Sequence, residues 1–337
     1  MSLSRYALKD NVIVVTLILA CLFFAIFANN FLTLGNARNI AINSAILAAV
    51  VVPGTLLIVS GYIDLSVGST TGLAGVLTAL AASKWGWPAP AAIGLGLFAG
   101  AGVGAINGLL CAVLQFNSIV VTLGMLSVVR GATLMITSAS LFGLGDAFAV
   151  IGRGTIAGIP IVVLIALGIF VLGGLFLRVS PWGRHIYAIG ANPEAAYLAG
   201  LAVRRLPFLL YVLTGLAAGV AGIMAVSRLD GAAPAQLGIN LELMVLTAVL
   251  VGGVAFAGGR GSLSGVFFAM LLLGVLQNGL VLMNVPTFTQ TLVEGMLLIA
   301  AAAVDGLWSR LGRLRGGARR RQRAGQRQPA SSTGSAA

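Results

Sequence analysis

The chain has 337 residues, of which 59% are hydrophobic and 8% are charged, and its mean hydropathy is +1.05. Soluble domains carry about 25% charged residues, so this composition excludes a soluble fold and predicts an all-α polytopic membrane protein. The formal net charge is +12, but eight arginines are concentrated between residues 310 and 327, directly after the last apolar run. This placement favours a basic cytoplasmic anchor over a nucleic-acid-binding surface.

Ten apolar runs follow one another along the chain, each a candidate for a membrane-spanning helix. They lie at 12–31, 39–60, 66–83, 89–113, 119–138, 160–178, 207–227, 241–257, 263–283 and 290–305. Because 66–83 and 241–257 are short, eight or nine full spans with a re-entrant segment are an alternative. Ten spans place both termini on one side, and the basic residues at both ends predict that this side is cytoplasmic. We expect a membrane domain at 1–306 and a disordered tail at 307–337.

The first polar interruption is SGYIDLSVGS, residues 60–69, between the second and third runs. A carboxylate inside a membrane costs several kcal/mol unless it faces a cavity or a partner. Asp64 therefore has two interpretations: it caps the helix that follows, or it lines a translocation pathway formed at a broken helix. Ser66 in the same break is a second pathway candidate. Glu242, which opens the eighth run, is a third, with pairing to a neighbouring helix as the alternative.

A weak internal repeat contributes two more candidates. NGLLCAVLQFNSIVVTLGML (107–126) and NGLVLMNVPTFTQTLVEGML (278–297) share their first and last three residues at the same spacing. In the ten-span topology these segments face opposite ways, as in an inverted repeat, and chance similarity is the alternative. Asn107 and Asn278 begin the two copies, and we include both as pathway candidates.

Motifs for ATP binding or catalysis are missing. A phosphate-binding loop needs a GK[ST] sequence after its glycines, and neither Lys9 nor Lys84 stands in one. GGVAFAGGRGS (252–262) predicts a tight loop whose glycines adopt positive φ angles. Glycines spaced by four, at 96, 100, 104 and 108, predict close helix packing. We find no catalytic set and no metal-ligand set, so we do not expect an enzyme.

The longest loop, 179–206, contains ANPEAAYLAGL. Asn192 is suited to cap a short helix, with Pro193 at its first position, Glu194 in its first turn and Gly200 near its end. A short helix on the cytoplasmic side of a membrane domain needs a surface to dock against. That surface is a partner protein or, alternatively, the membrane itself.

Three of these segments are characteristic when taken together: SGYIDLSVGS, GRHIYAIGANPEAAYLAGL and LGINLELMVLTAVLVGGVAFAGGRGSLSGV. In this order they resemble the permease subunits of ribose-type sugar ABC importers, a family that includes autoinducer-2 permeases. The resemblance covers residues 40–306. Glu194, Ala195, Ala196 and Gly200 match the family's E-A-A-x-x-x-G cytoplasmic loop. Tyr62 departs from the pattern, since the family more often has glycine or a small residue there, and we expect altered local packing.

The resemblance implies ten helices per subunit in a bacterial inner membrane, with spans two to five and seven to ten forming an inverted repeat. It implies a homo- or heterodimer, an extracytoplasmic sugar-binding protein, and a separate ATPase subunit that holds ATP and Mg²⁺. This chain would then carry no cofactor, and its 193–200 helix, with Asn192, would couple to the ATPase. The resemblance does not identify the sugar. An ion-gradient-driven secondary transporter of a small polar solute is the main alternative, followed by a channel.

Overall fold

The computed structural model describes residues 3–304 and 306 of the chain. Asp305 and the predicted tail at 307–337 lie outside the described residues. The helices are α1 Leu3–Phe27, α2 Leu34–Val59, α3 Val67–Ser83, α4 Ala89–Gly108, α5 Ser118–Ile136, α6 Asp146–Arg153, α7 Ile161–Val179, α8 Pro181–Ala191, α9 Pro193–Leu198, α10 Arg205–Leu229, α11 Leu241–Val251, α12 Leu263–Leu282 and α13 Thr287–Val304. A π-helical segment, Leu109–Val113, continues α4.

Seven of these helices are long and apolar enough to cross a membrane: α2, α4 with its π segment, α5, α7, α10, α12 and α13. Three shorter apolar helices, Val12–Phe27 within α1, α3 and α11, coincide with the remaining predicted runs. The predicted all-α polytopic class is therefore confirmed. The predicted span 241–257 is too long, because α11 ends at Val251 after 11 residues. Such a helix is about 16 Å long, roughly half of a 30 Å hydrocarbon core.

The loop after α11 explains this early end. Gly253, Gly258, Gly259 and Gly261 have positive φ angles, as predicted for the glycine-rich segment 252–262. L-residues with side chains rarely adopt that conformation, so the segment turns sharply between α11 and α12.

Helix α2 lies at the centre of the main hydrophobic core, and its second half is almost completely buried. Beside it, α4 crosses α10 at close range. A Cβ atom on Gly100 would meet the carbonyl oxygen of Gly215, and one on Gly104 would meet that of Tyr211. The glycine spacing predicted this packing correctly, since only residues without a Cβ let two helix backbones approach so closely.

The chain forms two short antiparallel pairings, one between distant segments and one within a local turn. Strand β1 (Leu141–Phe142) pairs with β4 (Gly231–Ala232), while β2 (Thr155–Ile156) pairs with β3 (Ile159–Pro160). The β1–β4 pairing fixes the start of the segment that connects α10 to α11. That segment carries Leu237 and Gly238, which pack against α3.

The predicted loop 179–206 contains one more helix than expected. Ser180 begins α8 by accepting a hydrogen bond from the Trp182 N–H, and Pro181 occupies the first helical position. Ile186 and Ile189 are buried and form the inner face of α8. Only α9 was predicted in this region, and it forms where expected.

Candidate functional site: a polar break beside a two-carboxylate cleft

The break between α2 and α3 is organised by Asp64. Its Oδ1 atom accepts hydrogen bonds from the Ser66 N–H at 2.8 Å and from the Ser66 hydroxyl at 2.7 Å. Ser66 itself is the N-cap residue of α3, and its side chain makes no capping bond to the helix. The predicted cap at Asp64 is therefore wrong in position: Asp64 holds the turn that leads into the helix.

Asn107 joins this turn from α4, 43 residues away. Its Nδ2 atom donates to the Ser66 hydroxyl at 2.8 Å and lies 3.4 Å from both carboxylate oxygens of Asp64. Asn107 is fully buried, and its Oδ1 atom has no hydrogen-bond partner among the described residues. The π-helical segment begins two residues later, and such irregular turns are frequent at functional sites. We call Asp64, Ser66 and Asn107 the Asp64 cluster.

Two other helices hold the break in place. The Leu65 N–H donates to the Thr122 hydroxyl of α5 at 3.0 Å, and the Tyr211 hydroxyl of α10 donates to the Ile63 carbonyl at 3.1 Å. Tyr62, the residue that departs from the family pattern, packs its ring edge-on against Tyr211 at 6.0 Å. These two backbone groups of the break are thus satisfied by buried side chains, as an interruption inside a membrane requires.

Asp64 and Glu242 line the same narrow cleft, whose cavity volume is about 10 Å³. Thr214 also lines the cleft, and its hydroxyl donates to the Leu210 carbonyl of its own helix at 2.8 Å. The remaining lining is apolar: Gly54, Leu57, Ile58, Ile63, Leu65, Val67, Val245 and Leu246. A Cβ atom on Gly68 would overlap with Glu242 Oε2, so the first turn of α11 lies directly against the first turn of α3. Glu242 Oε2 is buried without a hydrogen-bond partner among the described residues.

Arg130 of α5 is a charged residue near this site that the sequence analysis missed. Its Nη1 atom donates to the Leu237 carbonyl at 2.7 Å, and its positive charge interacts with Glu242. An arginine inside an apolar run was the available signal, because intramembrane charges mark functional sites by default.

The other predicted pathway candidate lies on a different helix from the residues of the Asp64 cluster. Asn278 is on α12, and its Oδ1 atom is buried without a hydrogen-bond partner among the described residues. On α13, Glu294 accepts a hydrogen bond from Gln277 Nε2 of α12 at 3.1 Å, so these two helices are joined by a polar contact. Glu294 borders a second cleft with Met244, Thr247, Leu273 and Leu276.

The short helix α9 has the predicted capping geometry. Asn192 Oδ1 accepts a hydrogen bond from the Ala195 N–H at 3.0 Å, and Pro193 occupies the first position. Gly200 follows the helix with a φ angle of +78°. Glu194 and Tyr197 are exposed, whereas Ala196 is buried. The described helix therefore presents a charged and aromatic face to its surroundings.

A family model described as the permease component of the branched-chain amino acid transport system matches residues 36–302. The chain belongs to this permease family. The match includes the Asp64 cluster, the cleft and α9. No solved structure matches this permease.

Three relatives of the permease are sugar transport subunits. It is 34% identical over 279 residues to the L-arabinose ABC transporter permease of Azospirillum brasilense, covering 82% of this chain and 81% of the relative. It is 36% identical over 283 residues to the ribose import permease of Escherichia coli K12, covering 82% and 87%. The D-allose permease of the same strain is 31% identical, with 87% and 90% covered. The resemblance stated from three segments is thus confirmed.

Proposed function

We propose that this chain is the transmembrane permease subunit of an ATP-driven, binding-protein-dependent sugar importer in a bacterial inner membrane. The observation that carries the proposal is the similarity to arabinose, ribose and allose permeases over more than four fifths of the chain. Two copies, or this chain and a second permease, form the translocation pathway. A separate ATPase hydrolyses ATP, and an extracytoplasmic protein delivers the sugar.

The pathway runs past the Asp64 cluster and Glu242. The shared cleft supports this assignment, because it places two carboxyl side chains, Asp64 and Glu242, among mostly apolar residues. Carboxylates accept hydrogen bonds from sugar hydroxyl groups, so such a lining suits a neutral, hydroxyl-rich solute. Asn278 occupies the equivalent position in the second repeat.

The proposed arrangement has ten spans, an inverted repeat and cytoplasmic termini. Both copies of the repeat are helix–turn–helix segments: α4 with its π segment leads to α5, and α12 leads to α13. Each turn contains one left-handed residue, Gln115 with a φ of 60° and Asn284 with a φ of 56°. This local likeness supports the repeat.

Coupling to the ATPase is assigned to α9, from Asn192 to Gly200, including Pro193, Glu194, Ala195 and Ala196. Its exposed face is suited to a groove on a partner subunit. ATP binding closes the ATPase pair, α9 moves, and the pathway switches from outward- to inward-facing. A secondary transporter is not favoured, because the arabinose relative of Azospirillum brasilense is an ABC transporter permease.

The test is copurification of the chain with an ATPase subunit, followed by reconstitution with the binding protein. We expect ATP hydrolysis to rise when the loaded binding protein is added. Glu194→Arg should abolish this stimulation without affecting membrane insertion. Asp146→Arg, a charge reversal at an exposed site on α6, serves as the matched control. Uptake by the chain alone that is abolished by an uncoupler would contradict the proposal.

A further inference from the structure

Three backbone segments meet where α8 ends. The Gly259 N–H donates to the Val59 carbonyl at 2.7 Å, joining the loop after α11 to the last residue of α2. Gly190 of α8 packs onto both: a Cβ atom there would meet the Val59 carbonyl and lie 2.6 Å from the Gly259 nitrogen. Gly258 lies against Gly61 in the same way, since its Cβ would be 2.8 Å from the Gly61 Cα. We call this contact the α8 junction.

A side-chain bond strengthens the junction. The Tyr187 hydroxyl of α8 donates to the Gly261 carbonyl at 3.0 Å. A Cβ on Gly259 would lie 2.6 Å from the Ala191 Cα, so the last residue of α8 also touches the loop. Helix α8 is therefore attached to the 252–262 loop at two places along its length, and a rotation of α8 must displace that loop.

Helix α8 is also attached directly to α9, through Asn192. The Asn192 N–H donates to the Ala188 carbonyl of α8 at 3.1 Å, while the Asn192 side chain caps α9. One residue thus ends the first helix and begins the second, with no flexible linker between them. The two helices are expected to move together.

The two segments that α8 contacts, the end of α2 and the 252–262 loop, lead to the two carboxylates of the cleft. From Val59 and Gly61 the chain reaches Asp64 within three residues of the glycine. From the 252–262 loop, the 11-residue helix α11 leads back to Glu242 in its first turn. The side of the cleft that carries Asp64 is thus joined directly to the last turn of α8. The side that carries Glu242 is joined to it through the loop, in which the Ala255 N–H donates to the Arg260 carbonyl at 3.0 Å.

We propose that α8, through Gly190 and Tyr187, is the transmission element between α9 and the cleft, so that Gly190 is a positioning residue for transport. This rests on the proposed function. Movement of α9 by the ATPase displaces α8, and α8 displaces the ends of α2 and α11 together. The carboxylates on the two sides of the cleft then separate or approach as the pathway switches. A residue larger than glycine at 190 holds these segments apart and breaks the link.

The test uses the complete reconstituted complex of permease, ATPase and binding protein, and measures sugar transported per ATP hydrolysed. For Gly190→Ala we expect ATP hydrolysis close to wild type and a transport ratio lower by at least about fivefold, the lower end of typical coupling between two sites. Gly102→Ala is the matched control, because a Cβ on this α4 glycine meets nothing within 4 Å. A wild-type ratio in Gly190→Ala, or an equal loss in Gly102→Ala, overturns the proposal.

Tyr187→Phe provides an independent variant that keeps the packing of the ring. Loss of one hydroxyl bond is expected to lower the ratio by about two- to tenfold. If Gly190→Ala does not assemble into the complex, Tyr187→Phe becomes the test. A wild-type ratio of sugar transported per ATP hydrolysed in Tyr187→Phe then overturns the proposal. Failure of the proposed function looks different, because the wild-type chain would then bind no ATPase at all.

Discussion

Replacement of Asp64 by leucine removes the acceptor that organises the break. The carboxylate accepts two short hydrogen bonds from Ser66, at 2.8 and 2.7 Å. Intramolecular hydrogen bonds each contribute about 0.5–1.5 kcal/mol, so the loss of both lowers the free energy of unfolding by about 1–3 kcal/mol. The longer contacts from Asn107, at 3.4 Å, add little to this sum.

Asp64→Asn separates the structural role from the pathway role, because an amide oxygen keeps an acceptor for Ser66 and loses the charge. We expect Asp64→Asn to recover more than half of the stability lost in Asp64→Leu. Denaturant unfolding of the purified chain, together with uptake normalised to the amount in the membrane, measures both effects. An Asp64→Leu variant as stable as wild type would refute the reasoning. A stable Asp64→Asn variant with normal uptake would remove Asp64 from the pathway.

Three further substitutions test other contacts. Gly100→Ala should lower stability by about 1–3 kcal/mol because its Cβ meets the Gly215 carbonyl, and thermal unfolding beside Gly102→Ala measures this. Arg130→Gln should cost about 1.5–3 kcal/mol by losing the charged bond to the Leu237 carbonyl, as checked by denaturant unfolding. Gly200→Ala has open space but a φ of +78°, so about 1–2 kcal/mol of strain should fray α9 and weaken ATPase copurification.

The helices and their interruptions could be predicted from the sequence because the signals are local. Apolar runs, the glycine spacing in α4 and the asparagine–proline start of α9 each depend on neighbouring residues. Helix α8 also had a local signal, Ser180 followed by Pro181, but its short amphipathic pattern was obscured by the polar residues around it. The end of α11 at Val251 could not be predicted from hydropathy, because the first residues of the glycine-rich loop after it are also apolar.

The arrangement of the site could not be predicted in the same way, because its contacts join residues far apart in the chain. Asn107 reaches Ser66 across 41 residues, and Tyr211 reaches Ile63 across 148. Composition identifies such polar groups as unusual but does not pair them. The sequence alone therefore identified Asp64, Asn107 and Glu242 as candidates, while the cleft shared by Asp64 and Glu242 depended on the tertiary packing.

Two short helices explain how the interior accommodates both carboxylates. Asp64 stands just before α3, and Glu242 lies in the first turn of α11, so each is close to the N-terminus of a helix. The partial positive charge of a helix N-terminus stabilises an anion by about 0.3–1 kcal/mol at the surface and up to about 2 kcal/mol when partly buried. A helix crossing the whole membrane has its N-terminus at the interface, where water already solvates charge. Interrupting the chain at residues 60–66 and beginning α11 against Gly68 instead bring two positive helix ends into the packed interior, where they face the same cleft.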